Sequence, residues 1–145
     1  MLMRKDVLIV GIFVLLSACI STSKAVAVEM YKSPTCECCA EYGKYLESKN
    51  FKVKTIEVQN LQEIRNSLGV PEHVRSCHTM KIGNYFGEGH VPADVIQELL
   101  AEQPKIDGIA LPGMPQGSPG MGGVKTEPFM IYSISNGKIS EFTRR

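Results

Sequence analysis

The stretch Val28-Glu29-Met30-Tyr31-Lys32-Ser33-Pro34-Thr35-Cys36-Glu37-Cys38-Cys39-Ala40 decides how this chain folds. It opens on a short β-prone run, Val28 to Tyr31. It then turns through Ser33-Pro34-Thr35 and places three thiols within four residues. From Ala40 to about Lys49 the sequence reads as a helix. The thiols therefore stand at a helix start, where backbone N–H groups are unpaired and the dipole favours negative charge. Both effects favour thiolate over thiol. Thiolate attacks disulfides and binds soft metals, so the cluster has two candidate chemistries.

Working outward, Phe51 to Val58 is rich in β-branched residues and reads as a strand. Asn60 is a candidate helix N-cap, with Glu63 completing a capping-box-like pair. Leu61, Ile64 and Leu68 share one face of that helix. Gly69-Val70-Pro71 stops it. Strand, helix, strand and helix with short links make a βαβα unit on parallel strands, hence an α/β fold. Beyond it, Met80 to Ile82 and Tyr85-Phe86 flank a tight turn at Gly83-Asn84. Pro92 opens a helix whose buried stripe is Val95, Ile96, Leu99 and Leu100, and Gln103-Pro104 ends it. Ile106 to Glu127 has no periodicity. It is nearly uncharged and rich in Gly and Pro, so it reads as an ordered flap near the site. Phe129 to Ser135 and Lys138 to Phe142 form a hairpin turning at Asn136-Gly137.

The chain has 145 residues, enough for one domain, and its net charge is +1. No basic stripe marks it as a nucleic-acid binder. Arg4 and Lys5 precede an apolar run, Val7 to Leu16, that is about half the length of a membrane span. This is a secretory signal pattern. Ala25-Val26-Ala27 offers one cleavage site, giving a signal peptide over 1–27 and a domain over 28–145. Leu16-Ser17-Ala18-Cys19 resembles a bacterial lipobox, which would end the leader at 18 and lipid-anchor the chain through Cys19. Either way the expected destination is outside the cytoplasm, with the bacterial periplasm favoured. Cys36, Cys38, Cys39 and Cys77 remain. Two disulfides are one reading of an even count in an oxidising compartment. However, adjacent Cys38 and Cys39 point in different directions, and three clustered thiols cannot all pair with Cys77. A catalytic or metal role is favoured.

As metal donors, Cys36, Cys38, Cys39 and Cys77 supply sulfur and His78 and His90 supply imidazole. Met114 and Met121 supply thioethers from the flap. Thiolate and thioether form a soft set that selects Cu(I). Zinc also accepts four thiolates, but it rarely uses methionine and is the less favoured ion. Adjacent cysteines suit bridging, so a polynuclear copper-thiolate centre is open beside a single ion. A histidine could allow a Cu(I)/Cu(II) step. Ordinary roles compete: His78 as a hydrogen-bonding neighbour of a cysteine, His90 as a cap near Pro92, and Glu37 as a charge at the helix start. His73 reads as a surface residue, and Met30, Met80 and Met130 as strand or core residues.

The strand, the Cys36-x-x-Cys39 helix start, the following strand and helix, and Pro128 before a hairpin resemble the thioredoxin superfamily. There a cis-proline precedes the third strand and packs beside the cysteines. The resemblance implies that Pro128 is cis and touches the Cys36–Cys39 loop, with Pro71 to Glu127 an insertion. Thr35 stands where thioredoxins have an aromatic residue, Cys38 is an additional thiol, and the usual final helix is missing after the hairpin. A closer resemblance rests on five ordered motifs: Cys36-x-Cys38-Cys39, Ser76-Cys77-His78-Thr79, Glu88-Gly89-His90-Val91-Pro92, Leu111-Pro112-Gly113-Met114-Pro115 and Gly117-Ser118-Pro119-Gly120-Met121. These are similar to the CopG-like family of small exported bacterial proteins linked to copper resistance. That resemblance implies a thioredoxin-like fold turned to metal binding. The first expected function is therefore an exported copper-binding protein acting with copper ions and other periplasmic copper-handling proteins. The second is a thiol–disulfide oxidoreductase with Cys36 as nucleophile and Cys39 as resolving thiol. A structural domain with two disulfides is the third.

Overall fold

The structure is a computed structural model and describes residues 24–145. The lipobox cysteine Cys19 and most of the expected leader lie outside the described residues. Strand β1 (Val26–Lys32) leads through the thiol loop into helix α1 (Glu37–Ser48). Strand β2 (Phe51–Glu57) and helix α2 (Leu61–Ser67) follow. β1 and β2 pair in parallel, as a short helical crossover requires. Asn60 caps α2 as its sequence signals. Its Oδ1 accepts from the Gln62 N–H at 3.1 Å and its Nδ2 donates to Glu63 at 2.8 Å. A 3-10 turn (Glu72–Val74) then carries the chain to strand β3 (His78–Ile82).

β3 turns at Gly83-Asn84 into strand β4 (Tyr85–Gly89), and helix α3 (Ala93–Glu102) follows Pro92. Strand β5 (Gly108–Leu111) comes next, and the flap after it leads to the hairpin of strands β6 (Met130–Ser135) and β7 (Lys138–Arg144). Among the described residues, seven strands form one mixed sheet in the order β2-β1-β3-β4-β5-β6-β7. The main core joins Tyr42 and Leu46 of α1 and Val95, Ile96 and Leu99 of α3 to Met30, Met80, Ile82, Ile109 and Ile131 of the sheet. A smaller cluster holds Val70, Val74, Phe86, Ala110 and Ile134. Met30 and Met80 are fully buried, as expected, whereas Met130 is only partly buried.

The fold class is the expected one, a thioredoxin-like α/β domain with a mixed sheet, but the strand after Pro128 is not the third strand of that unit. The hairpin beside β1 is β3–β4: β1 pairs antiparallel with β3, from Val28↔Ile82 to Lys32↔His78. Both hairpins carry good turn signals, so local chemistry cannot rank them. Burial ranks them: four of the five β3 residues are buried, whereas no β7 residue is, so β3 is central and β7 is an edge. The final helix is therefore present as α3. Pro128 follows a trans bond, since no cis bond occurs among the described residues. It lines a cleft with Leu111, Pro112, Pro115, Phe129 and Tyr132, a set that contains none of the cysteines. The segment from Ile106 also contains β5, whose four residues are all buried. A strand covered on both faces shows no alternation to read.

Candidate functional site

The β1–β3 register builds the site. Lys32, at the end of β1, lies opposite His78, at the start of β3. The thiol loop follows Lys32 directly and Cys77 precedes His78 directly, so pairing brings the two cysteine segments together. The β3–β4 register sets Thr79 opposite Glu88, which brings Gly89-His90 beside Cys77-His78. The position directly before the strand that neighbours β1 is thus held by Cys77 and not by a proline.

Cys36 is the N-cap of α1 with extended backbone angles, φ −82° and ψ 98°. It is joined to Cys39 in a disulfide, and Cys38 and Cys77 are free thiols. Cys38 Sγ lies 3.5 Å from Cys36 Sγ, and Cys39 Sγ lies 3.8 Å from the Cys77 carbonyl. The sulfurs of Cys36, Cys38, Cys39 and Cys77 all lie within 4.8 Å of one another. Cys77 Sγ is also 3.3 Å from His78 Nδ1 and 2.9 Å from His90 Nε2. Burial, followed by the neighbouring Cys38, pushes the Cys77 thiol up to about 12. Burial likewise holds His78 well below, and His90 below, the usual imidazole range.

The flap contacts the site. His90 Nδ1 donates to the Pro119 carbonyl at 2.6 Å. Gly120 sits with φ +77° directly on α1, and a Cβ there would lie 2.6 Å from Tyr42 N. Tyr42 is buried against both histidine rings, with centroids 4.7 Å from His78 and 5.1 Å from His90, and its hydroxyl donates to Val91 O at 2.7 Å. Met121 is half-buried just beyond this contact, while Met114 is 42 % exposed with φ 45°. His73 lies in the 3-10 turn and is exposed.

Sequence reasoning missed the frame behind Cys77. Arg65, on α2, and Glu88, on β4, form a buried ion pair at 2.6 Å. Arg65 also donates to the Ser76 carbonyl, and its Nε donates to Thr79 Oγ1 at 3.2 Å. Glu88 accepts from the Ser76 N–H at 2.6 Å and from the Thr79 hydroxyl. The residues on either side of Cys77-His78 are therefore tied to one ion pair. The only available signal was an acidic residue inside an otherwise buried strand, within the Glu88-to-Pro92 motif. Lys32 is a second buried cation; its ammonium donates to the Ser33 and Pro34 carbonyls at 3.0 and 3.3 Å and pairs with Glu57 at 3.3 Å. It fixes the loop that enters the thiol cluster.

Fold and site together define a thioredoxin-like domain whose cysteine pair has gained two further thiols and two imidazoles. A family profile described as Glutaredoxin matches residues 28–70, and one described as Protein of unknown function, DUF411, matches residues 74–121. No curated protein sequence matches the chain. Two solved structures, described as forms 1 and 2 of Copper resistance protein copG, are each 35 % identical to it with TM-score 0.77. The alignment covers 83 % of this chain and 98 % of theirs. The chain belongs to the CopG copper-resistance protein family. Among the described residues, no helix is long and apolar enough to cross a membrane.

Proposed function

We propose that this chain is an exported copper-binding protein that holds Cu(I) on Cys36, Cys38, Cys39 and Cys77 and contributes to copper resistance. The convergence of four sulfurs within 4.8 Å carries the reading. A wholly sulfur set is soft and suits Cu(I), and its adjacent cysteines suit a bridged, polynuclear centre. His78 and His90 are the neighbouring imidazole donors, and Met121 and Met114 are the thioether donors of the flap. Copper is the cargo, which the protein sequesters or passes to other copper-handling proteins of the periplasm. The leader pattern over residues 1–27, or the lipobox at Cys19, supports export. Kinship with copper-resistance proteins supports the choice of metal.

A second reading keeps a specific observation behind it. The Cys36–Cys39 disulfide at the start of α1, within the Glutaredoxin match, is the arrangement of a thiol–disulfide oxidoreductase. Anaerobic titration of the fully reduced chain with Cu(I) separates the two readings. The expected result is saturation at one copper per chain or more, with Cys38→Ser losing metal. Saturation below one copper, together with rapid reduction of insulin that survives Cys38→Ser, would establish the oxidoreductase instead.

A further inference from the structure

The two ends of the sheet differ in charge. The thiol cluster lies at the end where β1 finishes and β3 starts, with Lys32 opposite His78. At the far end β1 and β2 begin, with Val26 beside Phe51, and α1 and α3 finish as they cross back between parallel strands. The turns at Gly83-Asn84 and Asn136-Gly137 close there as well. Five lysines stand at this far end: Lys49 after α1, Lys52 early in β2, Lys81 before the first turn, Lys105 after α3, and Lys138 after the second turn. All five are exposed, and among the described residues none is in an ion pair. Carboxylates here are fewer: Glu47, Glu102 and Asp107. Glu29, opposite Lys81, is taken by Lys54 at 3.3 Å, and Asp107 Oδ2 accepts the Asn136 N–H at 2.6 Å. The thiol end has the reverse pattern. Glu37, Glu63, Glu72 and Glu127 are exposed there outside any ion pair, while Lys32, Arg144 and Arg145 are paired with acids.

We propose that the lysine end docks on an anionic phospholipid membrane and turns the thiol end toward water. Charge complementarity is the first argument. Each lysine held near an anionic bilayer strengthens binding by about fivefold, and the exposed acids at the other end are repelled, so the chain has one favoured orientation. The path of the chain is the second. Cys19 stands only a few residues ahead of Lys24, the first described residue, which leads directly into the start of β1 at the lysine end. An extended chain spans at most about 3.6 Å per residue, so a lipid on Cys19 keeps Lys24 within about 20 Å of the membrane by any path. The tether and the lysines therefore select the same face.

The kind of cation separates a membrane from a nucleic acid. Phosphate recognition on nucleic acids draws on the bidentate fork of arginine, whereas hydrated ammonium groups on flexible stems act as point charges on a diffuse headgroup layer. Every cation at this end is a lysine, and the arginines Arg65, Arg75, Arg144 and Arg145 are committed to acids or carbonyls elsewhere. The inference rests on the export reading for the membrane it names and is independent of the copper reading.

Residues 24–145 hold the seven-stranded sheet and both apolar clusters, so they are tested as a unit without leader or lipid. The probe is a vesicle of phosphatidylcholine and phosphatidylglycerol, with phosphatidylcholine alone as control. At low ionic strength the chain should float with the anionic vesicles and not with the neutral ones. Added salt should release it as the screening length shortens. Lys52→Gln, Lys105→Gln and Lys138→Gln should each weaken binding by about fivefold, whereas Lys125→Gln on the flap should leave it unchanged. All four side chains are exposed, and circular dichroism checks that the variants stay folded. Alkylation of Cys38 should run at the same rate on and off the vesicle, because its end faces water. No flotation with anionic vesicles, equal flotation with neutral ones, equal loss in Lys125→Gln, or protection of Cys38 overturns the proposal. Binding to duplex DNA as tight as to the vesicles overturns it too. Cu(I) titration is made without vesicles, so either reading can fail while the other stands.

Discussion

Cys77 is the residue on which the chemistry turns, and its surroundings make proton release part of metal binding. With its thiol pushed up to about 12, chiefly by burial, Cys77 is protonated at neutral pH until a metal displaces the proton. Metal affinity should therefore rise by about tenfold per pH unit for each proton displaced. A competition titration of Cu(I) against a chelator at several pH values measures the slope, and Cys77→Ser should lower it by one proton. A slope unchanged by that substitution would remove Cys77 from the ligand set. The histidines act on the metal-free chain. Burial holds both below the ordinary value of 6.5, so the folded chain keeps them neutral while the unfolded chain takes up protons near that pH. The unfolded state then binds more protons, and stability falls as pH drops below about 6.5. Buried Glu88, shifted upward by its own burial, contributes with the opposite sign at lower pH. The expected outcome is a urea midpoint that declines on acidification from neutral pH, with a shallower decline in His90→Gln. An equally steep decline in that variant would show that His90 does not titrate differently on folding.

At the scale of elements, the site depends on α2 as much as on the helix that carries the thiols. Arg65 reaches across to Glu88, and the pair grips Ser76 and Thr79 on either side of Cys77-His78. Arg65→Ala leaves a fully buried carboxylate without its cation and should cost about 3–5 kcal/mol in chemical denaturation. It should also speed alkylation of Cys77 by a thiol reagent, because the segment that positions it is released. A loss under 1 kcal/mol would show the pair to be dispensable. The flap is tested at Gly120, where a positive φ and the backbone of Tyr42 leave no room for a methyl group. Gly120→Ala should cost on the order of 2 kcal/mol and expose the Pro112-to-Pro128 segment to limited proteolysis. An unchanged digest would show that the flap is held elsewhere. The features the sequence revealed were those decided within a few residues. Asn60 caps α2, Gly83-Asn84 and Asn136-Gly137 turn their hairpins, and the Cys36-x-Cys38-Cys39 spacing marks a helix start. Long-range pairing decided the rest. The neighbour of β1, the buried strand β5, and the partnership of Arg65 with Glu88 across 23 residues of sequence leave no local trace. Arg65 reads as a surface charge until the sheet closes over it. Cys77 and His90 entered the expected site as sulfur and imidazole donors, with the motif resemblance in agreement, and the strand register supplies the physical reason they meet.

For the whole molecule, the question is whether the fold depends on the disulfide that its proposed function must open. The core says it does not. Seven strands form one sheet, with apolar clusters that join β1, β3, β5 and β6 to α1 and α3, and Val70 and Val74 to β4, β5 and β6. The Cys36–Cys39 bond closes a loop with a sequence separation of 3. Loop-closure entropy for so short a ring amounts to about 2 kcal/mol. In a domain of this size that is a shift on the order of 10 °C in Tm, not a loss of the native state. α1 is held by Tyr42 and Leu46 in the core, and Lys32 fixes the entering loop through Ser33 and Pro34, so neither anchor passes through the disulfide. Thermal melts of the chain with and without a phosphine reductant, followed by circular dichroism, should show two cooperative transitions of similar steepness separated by about that amount. A reduced chain that is already unfolded at room temperature would mean that the thiols serve as a structural staple. The four-sulfur copper site would then have no folded scaffold to present it.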